Sequence, residues 1–248
     1  MSIYKQIKEK CDKKQKQYWI LLDPDDFLSA EAADIVKTAE EAGATAVLIG
    51  GSFIHGDGLL AEFIAEIKQK STIPIILFPG DASQIAENAD AILFMSLISG
   101  RNPDFLIGQQ IKGAVKIAKT KVEPISMGYM LVESGTTTSV EFMSNTRPLP
   151  REKPEIAAAH ALAAQFLGMS MIYLEAGSGA KFSVSEEMIT AVKRCVKIPV
   201  IVGGGIRDAE TAKQKLAAGA DIIITGNLLS SCGGLDEMKK IAETIREF

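Results

Sequence analysis

Short, continuously apolar runs alternate with longer amphipathic stretches along the whole chain, a pattern that predicts repeated strand–helix units around a parallel sheet. Tyr18–Leu22 reads as the first strand and ends at Asp23-Pro24-Asp25; a helix follows to about Ala42, with Ser29 as its cap and Gly43 as its stop. Ala46–Ile49 is the second strand, ending in Gly50-Gly51-Ser52, and a helix runs from about Gly58 to Lys70. Ile73–Phe78 and Ala91–Met95 are strands three and four, but only Pro79 to Asp90 lies between them, so the third unit is abbreviated. A helix over 104–119 precedes strand five, Glu123–Val132. Residues 133–153 are polar, rich in Ser and Thr and without periodicity; so long a stretch at the C-terminal end of a strand is either functional or disordered. Strands at Met171–Leu174, Pro199–Val202 and Ile222–Ile224, with helices near 154–167, 185–196, 208–218 and 235–247, bring the strands to eight. No linker or composition shift divides the chain. The expectation is an α/β fold over residues 1–248, a single modified TIM (β/α)8 barrel with an abbreviated third helix.

Composition narrows the function classes. The chain has 248 residues, 47% hydrophobic and 23% charged, enough for a large core. A formal net charge of −4 gives no electrostatic support for nucleic-acid binding. Residues 1–17 are polar and lysine-rich, without the apolar core of a signal peptide, and no run approaches the roughly 18 apolar residues of a membrane span. A cytoplasmic protein without stable membrane insertion is expected. Cys11, Cys195 and Cys232 are widely spaced and odd in number, which argues against a disulfide framework or a cysteine metal site.

The candidate chemistry gathers at strand ends. Tyr173-Leu174-Glu175-Ala176-Gly177-Ser178-Gly179, Val202-Gly203-Gly204-Gly205-Ile206-Arg207 and Thr225-Gly226-Asn227 each follow a short apolar run. Three successive strands thus deliver small residues and free backbone N–H groups to one rim, an arrangement suited to a phosphate. Asn227 also reads as a cap for the last helix. Glu175, preceded by four largely apolar residues, is costly to bury unless it is paired or used, and at a strand mouth it can accept a proton or hold a hydroxyl. Tyr173 reads equally as core or as ligand contact. Asp23 ends strand one beside Asp25 and Asp26, and Ser52 ends strand two on the same rim; their oxygens are hard ligands suited to Mg²⁺, although turn and helix-cap chemistry explains such residues as well. Arg101 and Arg207 are candidate diphosphate partners by charge. His55, near Asp57, falls close to the rim, while His160 sits on an apolar helix and reads as structural. The segment Ser99–Gly108, with Tyr129 and Met130, has the makings of a groove for a long apolar substrate or of ordinary helix packing.

The three glycine-bearing strings, together with Leu22-Asp23-Pro24-Asp25, resemble the geranylgeranylglyceryl phosphate synthase family over nearly the whole chain. Ser99-Gly100-Arg101-Asn102-Pro103 is similar to the second, partly bacterial branch, related to heptaprenylglyceryl phosphate synthase. The resemblance implies a Mg²⁺-dependent prenyltransferase acting in ether-lipid biosynthesis. It would join the C3 hydroxyl of sn-glycerol-1-phosphate to geranylgeranyl diphosphate, or to heptaprenyl diphosphate, and release diphosphate. It further implies that Tyr173, Leu174, Glu175, Ala176, Gly177, Ser178, Gly179, Gly204, Gly205, Gly226 and Asn227 hold the glycerol phosphate. Asp23 and Ser52 would serve Mg²⁺, Glu175 would orient or deprotonate the attacking hydroxyl, and the chain would form a homo-oligomer. One departure stands out: many members of that family carry a lysine beside the first-strand aspartate, whereas Leu21 and Leu22 precede Asp23 here.

Two other readings keep the barrel. A phosphoribosyl isomerase or thiamine-phosphate-type synthase shares the glycine ends of strands seven and eight, but the isomerases need paired acid and base at the ends of strands one and five. Strand five ends in Met127-Gly128-Tyr129-Met130, without an acid. A non-catalytic phosphate-binding barrel would have little use for Asp23 and Glu175 beside a complete cradle.

Overall fold

The structure, a computed structural model, describes residues 2–51, 59–231 and 233–248. Eight parallel strands pair in sequence order and close on themselves: β1 (Gln17–Leu22), β2 (Ala46–Ile49), β3 (Ile75–Leu77), β4 (Ala91–Leu97), β5 (Glu123–Leu131), β6 (Met171–Glu175), β7 (Val200–Gly203) and β8 (Ile222–Thr225), which pairs back to β1. The helices are α1 (Ile3–Asp12), α2 (Ser29–Ala42), α3 (Leu59–Lys70), α4 (Gln109–Ile117), α5 (Ser139–Ser144), α6 (Pro154–Phe166), α7 (Glu186–Cys195), α8 (Ala209–Ala218) and α9 (Gly234–Glu247). Residues 78–90, between β3 and β4, form turns and no helix, so the predicted abbreviation of the third unit is real.

Alternation along the strands sorts the apolar residues into two cores. Tyr18, Ile20, Leu22, Ile172, Leu174, Val200 and Val202 face outward and pack under the helices. Trp19, Leu48, Leu93, Met127, Tyr129, Met171, Tyr173, Ile201 and Ile224 point inward and fill the barrel. Because Met171 and Tyr173 point inward, the period of two sends Glu175 the same way, into the barrel mouth. Met130 lies on the outward parity and is buried under the helices, so of the predicted groove pair only Tyr129 faces the interior.

The N-terminal segment, read from sequence only as polar and lysine-rich, folds as α1. Ser2 caps it by accepting from Lys5 N at 3.2 Å, and Ile3, Tyr4, Ile7 and Cys11 join the interior core. Glu123, at the start of β5, accepts from Ile3 N at 2.5 Å and Ser2 Oγ at 2.6 Å, fixing α1 there. Two predicted caps are corrected. Ser29 lies inside α2, which is preceded by Leu28 and has no side-chain cap, and α9 starts at Gly234 behind Gly233, well after Asn227.

The stretch over 133–153 is ordered by specific bonds. Leu149 N donates to Leu131 O at 2.8 Å and Glu133 N to Leu149 O at 2.9 Å, bridging its far end back to β5. Asn102 Nδ2 donates to Ser144 O at 2.7 Å, and Thr138 caps α5 by accepting from Glu141 N at 3.4 Å. The result is a one-helix strap laid over the mouth.

Candidate active site

The C-terminal ends of the strands surround a cavity of about 810 Å³. Its rim carries Asp23 and Asp26 after β1, Gly177, Ser178 and Gly179 after β6, Gly204, Gly205 and Arg207 after β7, and Gly226 and Asn227 after β8. The predicted residues therefore converge, with exceptions. Leu174 and Ala176 are buried in the outer core and do not line the cavity. Ala176 N donates to Gly203 O at 3.1 Å, so this residue ties β6 to β7. Ser52, His55 and Asp57 lie outside the described residues.

Glu175 is 6% exposed and sits at the centre. One carboxylate oxygen, Oε1, accepts from Gly177 N at 2.6 Å. The turn after β7 depends on glycine here: Gly204 has φ +78°, and a Cβ on it would overlap Glu175 Oε1 and stand 2.7 Å from Gly177 N and 2.8 Å from Ala176 N. Burial raises the Glu175 pKa above the ordinary carboxylate value, with the nearby Tyr173 hydroxyl and the Gly177 N–H offsetting part of the rise. A carboxylate held this way has the features of a general base.

Around it lie the glycine-bearing loops of β6, β7 and β8. Ser178 Oγ donates to Asn227 Oδ1 at 2.9 Å, linking the β6 and β8 loops, and Arg207 Nη2 donates to Ala180 O at 2.7 Å, holding the β7 loop against the β6 loop. Arg207 thus reaches the cavity. Arg101 does not: its guanidinium donates to Gly100 O at 2.7 Å and faces His160, 3.4 Å away on α6. His160 Nδ1 is bound to Ile156 O at 2.7 Å, in keeping with a structural role.

Asp23 Oδ1 accepts from Asp25 N at 3.1 Å, and the missing side chain at Gly51 leaves room for the Asp23 carboxylate at the rim. No cluster of three metal-ligating side chains occurs among the described residues. A Mg²⁺ site of the kind that shares its coordination with phosphates and water needs only one or two carboxylates, and Asp23 with Asp26 fits it.

A second cavity, about 300 Å³ and mostly apolar, opens beside the first where the missing helix would lie. It runs between residues 78–85, β4 and α4, past Ile92, Phe94, Phe105 and Gly113 to Ile117, and the two cavities share Gly51, Phe78, Tyr129, Val140 and Met143. Of the predicted groove segment 99–108, only Phe105 lines this cleft; Ser99 instead accepts from Leu131 N at 2.9 Å. A π-helical turn over Asp104–Gly108 leads into α4 and directs Phe105 inward. Sequence reading missed Phe78, Gly113, Val140 and Met143. The i, i+4 pair Gly113 and Ile117 was the available signal for a small residue on the inner face of α4.

The isomerase alternative finds no support in β5, which sends Ile125, Met127, Tyr129 and Leu131 inward without a carboxylate. A thiamine phosphate pyrophosphorylase from Pyrococcus furiosus shares only the fold, at 15% identity and TM-score 0.60 over 95% of this chain and 98% of that one. The likeness to a crystal structure of (S)-3-O-geranylgeranylglyceryl phosphate synthase from Thermoplasma acidophilum, in complex with sn-glycerol-1-phosphate, is much closer: TM-score 0.94, 36% identity and all of both chains. A geranylgeranylglyceryl phosphate synthase from Pyrococcus horikoshii is 46% identical over 98% of this chain and 95% of its own. The model of the PcrB family matches residues 9–245. Sequence, barrel and rim agree, and the chain belongs to the PcrB family, the family of the geranylgeranylglyceryl phosphate synthases.

Proposed function

We propose that this chain is a geranylgeranylglyceryl phosphate synthase, joining the C3 hydroxyl of sn-glycerol-1-phosphate to C1 of geranylgeranyl diphosphate with release of diphosphate. The observation that carries the reading is the two-compartment site: a polar, glycine-rimmed cavity meets an apolar cleft, with a buried carboxylate at the centre of the polar side. Glycerol phosphate belongs in the first compartment, with its phosphate on the backbone N–H groups around Gly177, Gly179, Gly204, Gly205 and Gly226 and on Ser178 and Asn227. The prenyl chain belongs in the second, which offers aliphatic and aromatic walls of the right character.

Glu175 takes the hydroxyl proton as the new C–O bond forms, a contribution typically worth about 10² to 10⁴-fold. Fixing the glycerol by its phosphate turns the encounter of hydroxyl and allylic carbon into a near-unimolecular step. The strap over the mouth, with Val140 and Met143 lining both cavities, keeps water from capturing the allylic centre. Asp23 and Asp26 would hold Mg²⁺; when bound it neutralises the diphosphate and makes it a better leaving group. A homo-oligomer fits the apolar side chains exposed on the outer faces of α4 (Ile111, Val115) and α6 (Ile156, Phe166).

The test is a product assay with sn-glycerol-1-phosphate, prenyl diphosphates from C10 to C35, and Mg²⁺ or chelator. A prenylglyceryl phosphate that disappears with chelator is the expected result, and the best donor sets the chain length. Tight glycerol-phosphate binding without product from any donor would overturn the proposal.

A further inference from the structure

Three aromatic rings occupy the border between the two cavities. Phe78 ends the third strand unit, and Tyr129 and Tyr173 lie side by side on β5 and β6. Their centroids are 5.3 Å apart for the two tyrosines, edge to face at 89°, and Phe78 stands 6.0 Å from Tyr129 and 5.8 Å from Tyr173. Phe78 and Tyr129 line both cavities, while Tyr173 lines only the polar one.

The buried Tyr129 hydroxyl has no hydrogen-bond partner among the described residues, whereas the Tyr173 hydroxyl lies beside the Glu175 carboxylate. A buried phenol without a partner forfeits hydration and gains nothing for the fold, and phenylalanine would pack there without that cost. What the hydroxyl adds is electron density on the ring and a lone pair in the throat. Tyr173 has a near neighbour for its oxygen, because a Cβ on Gly203 would overlap the Tyr173 hydroxyl and stand 3.0 Å from Glu175 Oε2. Tyr129 has none described, and it is the tyrosine that borders both compartments.

Resting on the function proposed above, we propose that the Tyr129 ring, backed by Phe78 and Tyr173, is a catalytic group that stabilises the allylic cation of the donor. The two ends of a prenyl diphosphate need opposite surroundings, so its C1–O bond must lie at the border the rings occupy. When that bond breaks, its electron pair leaves with the diphosphate and positive charge spreads over C1 and C3 of the chain. The glycerol oxygen then bonds to C1 and its proton passes to Glu175. A ring face beside the cation is attractive, most strongly in a site stripped of water. Desolvation keeps the Tyr129 phenol neutral, so the ring acts through its face and not as a phenolate.

The experiment is a substitution series at Tyr129 read by kcat, KM for each substrate and thermal unfolding. Tyr129→Phe is expected to lose only a few-fold in kcat and to keep or raise the unfolding temperature. Mono-, di- and trifluorinated phenylalanines in its place should lower log kcat in steps, since fluorine drains the ring face with little change of shape. Tyr129→Leu should fall roughly 30-fold, the equivalent of about 2 kcal/mol, with KM for glycerol phosphate unchanged. A flat fluorine series while the wild type turns over would overturn the inference and leave the function standing. Absence of wild-type product would overturn both. If the leucine variant does not fold, a donor carrying fluorine at C2 supplies a measurement on the unaltered protein: no slowing with that donor means no cation for the ring to meet.

Discussion

Gly204→Ala separates the fold from the site within one residue. Alanine at φ +78° costs about 1–2 kcal/mol as left-handed strain, which for a chain of 248 residues lowers the unfolding temperature by about 2–8 °C. The added methyl has a second effect, because it would overlap Glu175 Oε1. Glu175 is held at Oε1 by Gly177 N and faces the cavity on its open side, so its carboxylate must shift by about 1 Å, and a displacement of that size costs about 10²-fold in rate. The same methyl presses on the backbone at Gly177 and Ala176, whose N–H groups are bonded to Glu175 and to Gly203 O, so the β6 loop that would hold the glycerol phosphate shifts and affinity for sn-glycerol-1-phosphate falls with turnover.

Gly168→Ala is the control. Gly168 ends α6 on the far side of the barrel with φ +82° and open space where a Cβ would point, so it carries the strain without the collision. Both variants are unfolded by heat, titrated with glycerol phosphate by calorimetry and assayed for prenylglyceryl phosphate. The expected result is a larger destabilisation in Gly204→Ala, whose Cβ also meets the backbone at Gly177 and Ala176, with activity lost only in that variant. Equal activity in the two variants would refute the placement of the reacting groups at the mouth of β7.

Glu175→Gln is expected to retain glycerol-phosphate binding, to lose about 10² to 10⁴-fold in kcat, and to abolish the acidic limb of the rate profile, which lies above the ordinary carboxylate range. The same raised pKa fixes a stability effect: the folded state holds the proton more tightly, so wild-type stability falls as pH rises from the unfolded to the folded pKa. Glu175→Gln should therefore unfold at a higher temperature than wild type at neutral pH, with the difference closing as pH falls. Asp23→Asn should lower kcat/KM for the donor by about 10²-fold or more and flatten the Mg²⁺ titration; an unaltered titration would remove Asp23 from the metal. Gly113→Leu fills the cleft against Ile85 and Ile117 and should move preference towards C10 and C15 donors, read as the ratio of kcat/KM values across chain lengths.

Much of this was legible in the sequence, for reasons tied to particular residues. The eight apolar runs are short and bounded by glycine, proline or aspartate, so strands stood out and the shortness of 79–90 exposed the missing helix. Glu175 was legible because a carboxylate after an apolar strand has few other uses, and the period of two alone decides that it points inward while Leu174 does not. The apolar cleft was harder to read. Its walls come from the end of β3, the outer face of β4, one side of α4 and two residues of the strap, and no single window of sequence brings Phe78, Gly113 and Met143 together. The strap itself lacked periodicity because α5 is only six residues long, too short to show a helical repeat.

The abbreviated third unit ties fold to chemistry. In a complete barrel the helix after β3 would cover the outer faces of β3 and β4, and Ile92 and Phe94 would be ordinary core. Without it those side chains wall a cleft that reaches the throat from the side, while the cradle on β6, β7 and β8 keeps the mouth polar. An anion cradle alone, as a barrel rim readily provides, binds a phosphate but gives a chain of many carbons nowhere to lie. An apolar cleft alone would bind the chain with its diphosphate stranded. Only where both reach one point, at Phe78 and Tyr129, would a donor with a charged head and a long tail present its breaking bond to a hydroxyl held beside Glu175, as proposed above. Restoring a helix between Pro79 and Asp90 should therefore abolish prenyl transfer while leaving glycerol-phosphate binding intact; a grafted variant that still turned over long donors would show that the chain enters by another route.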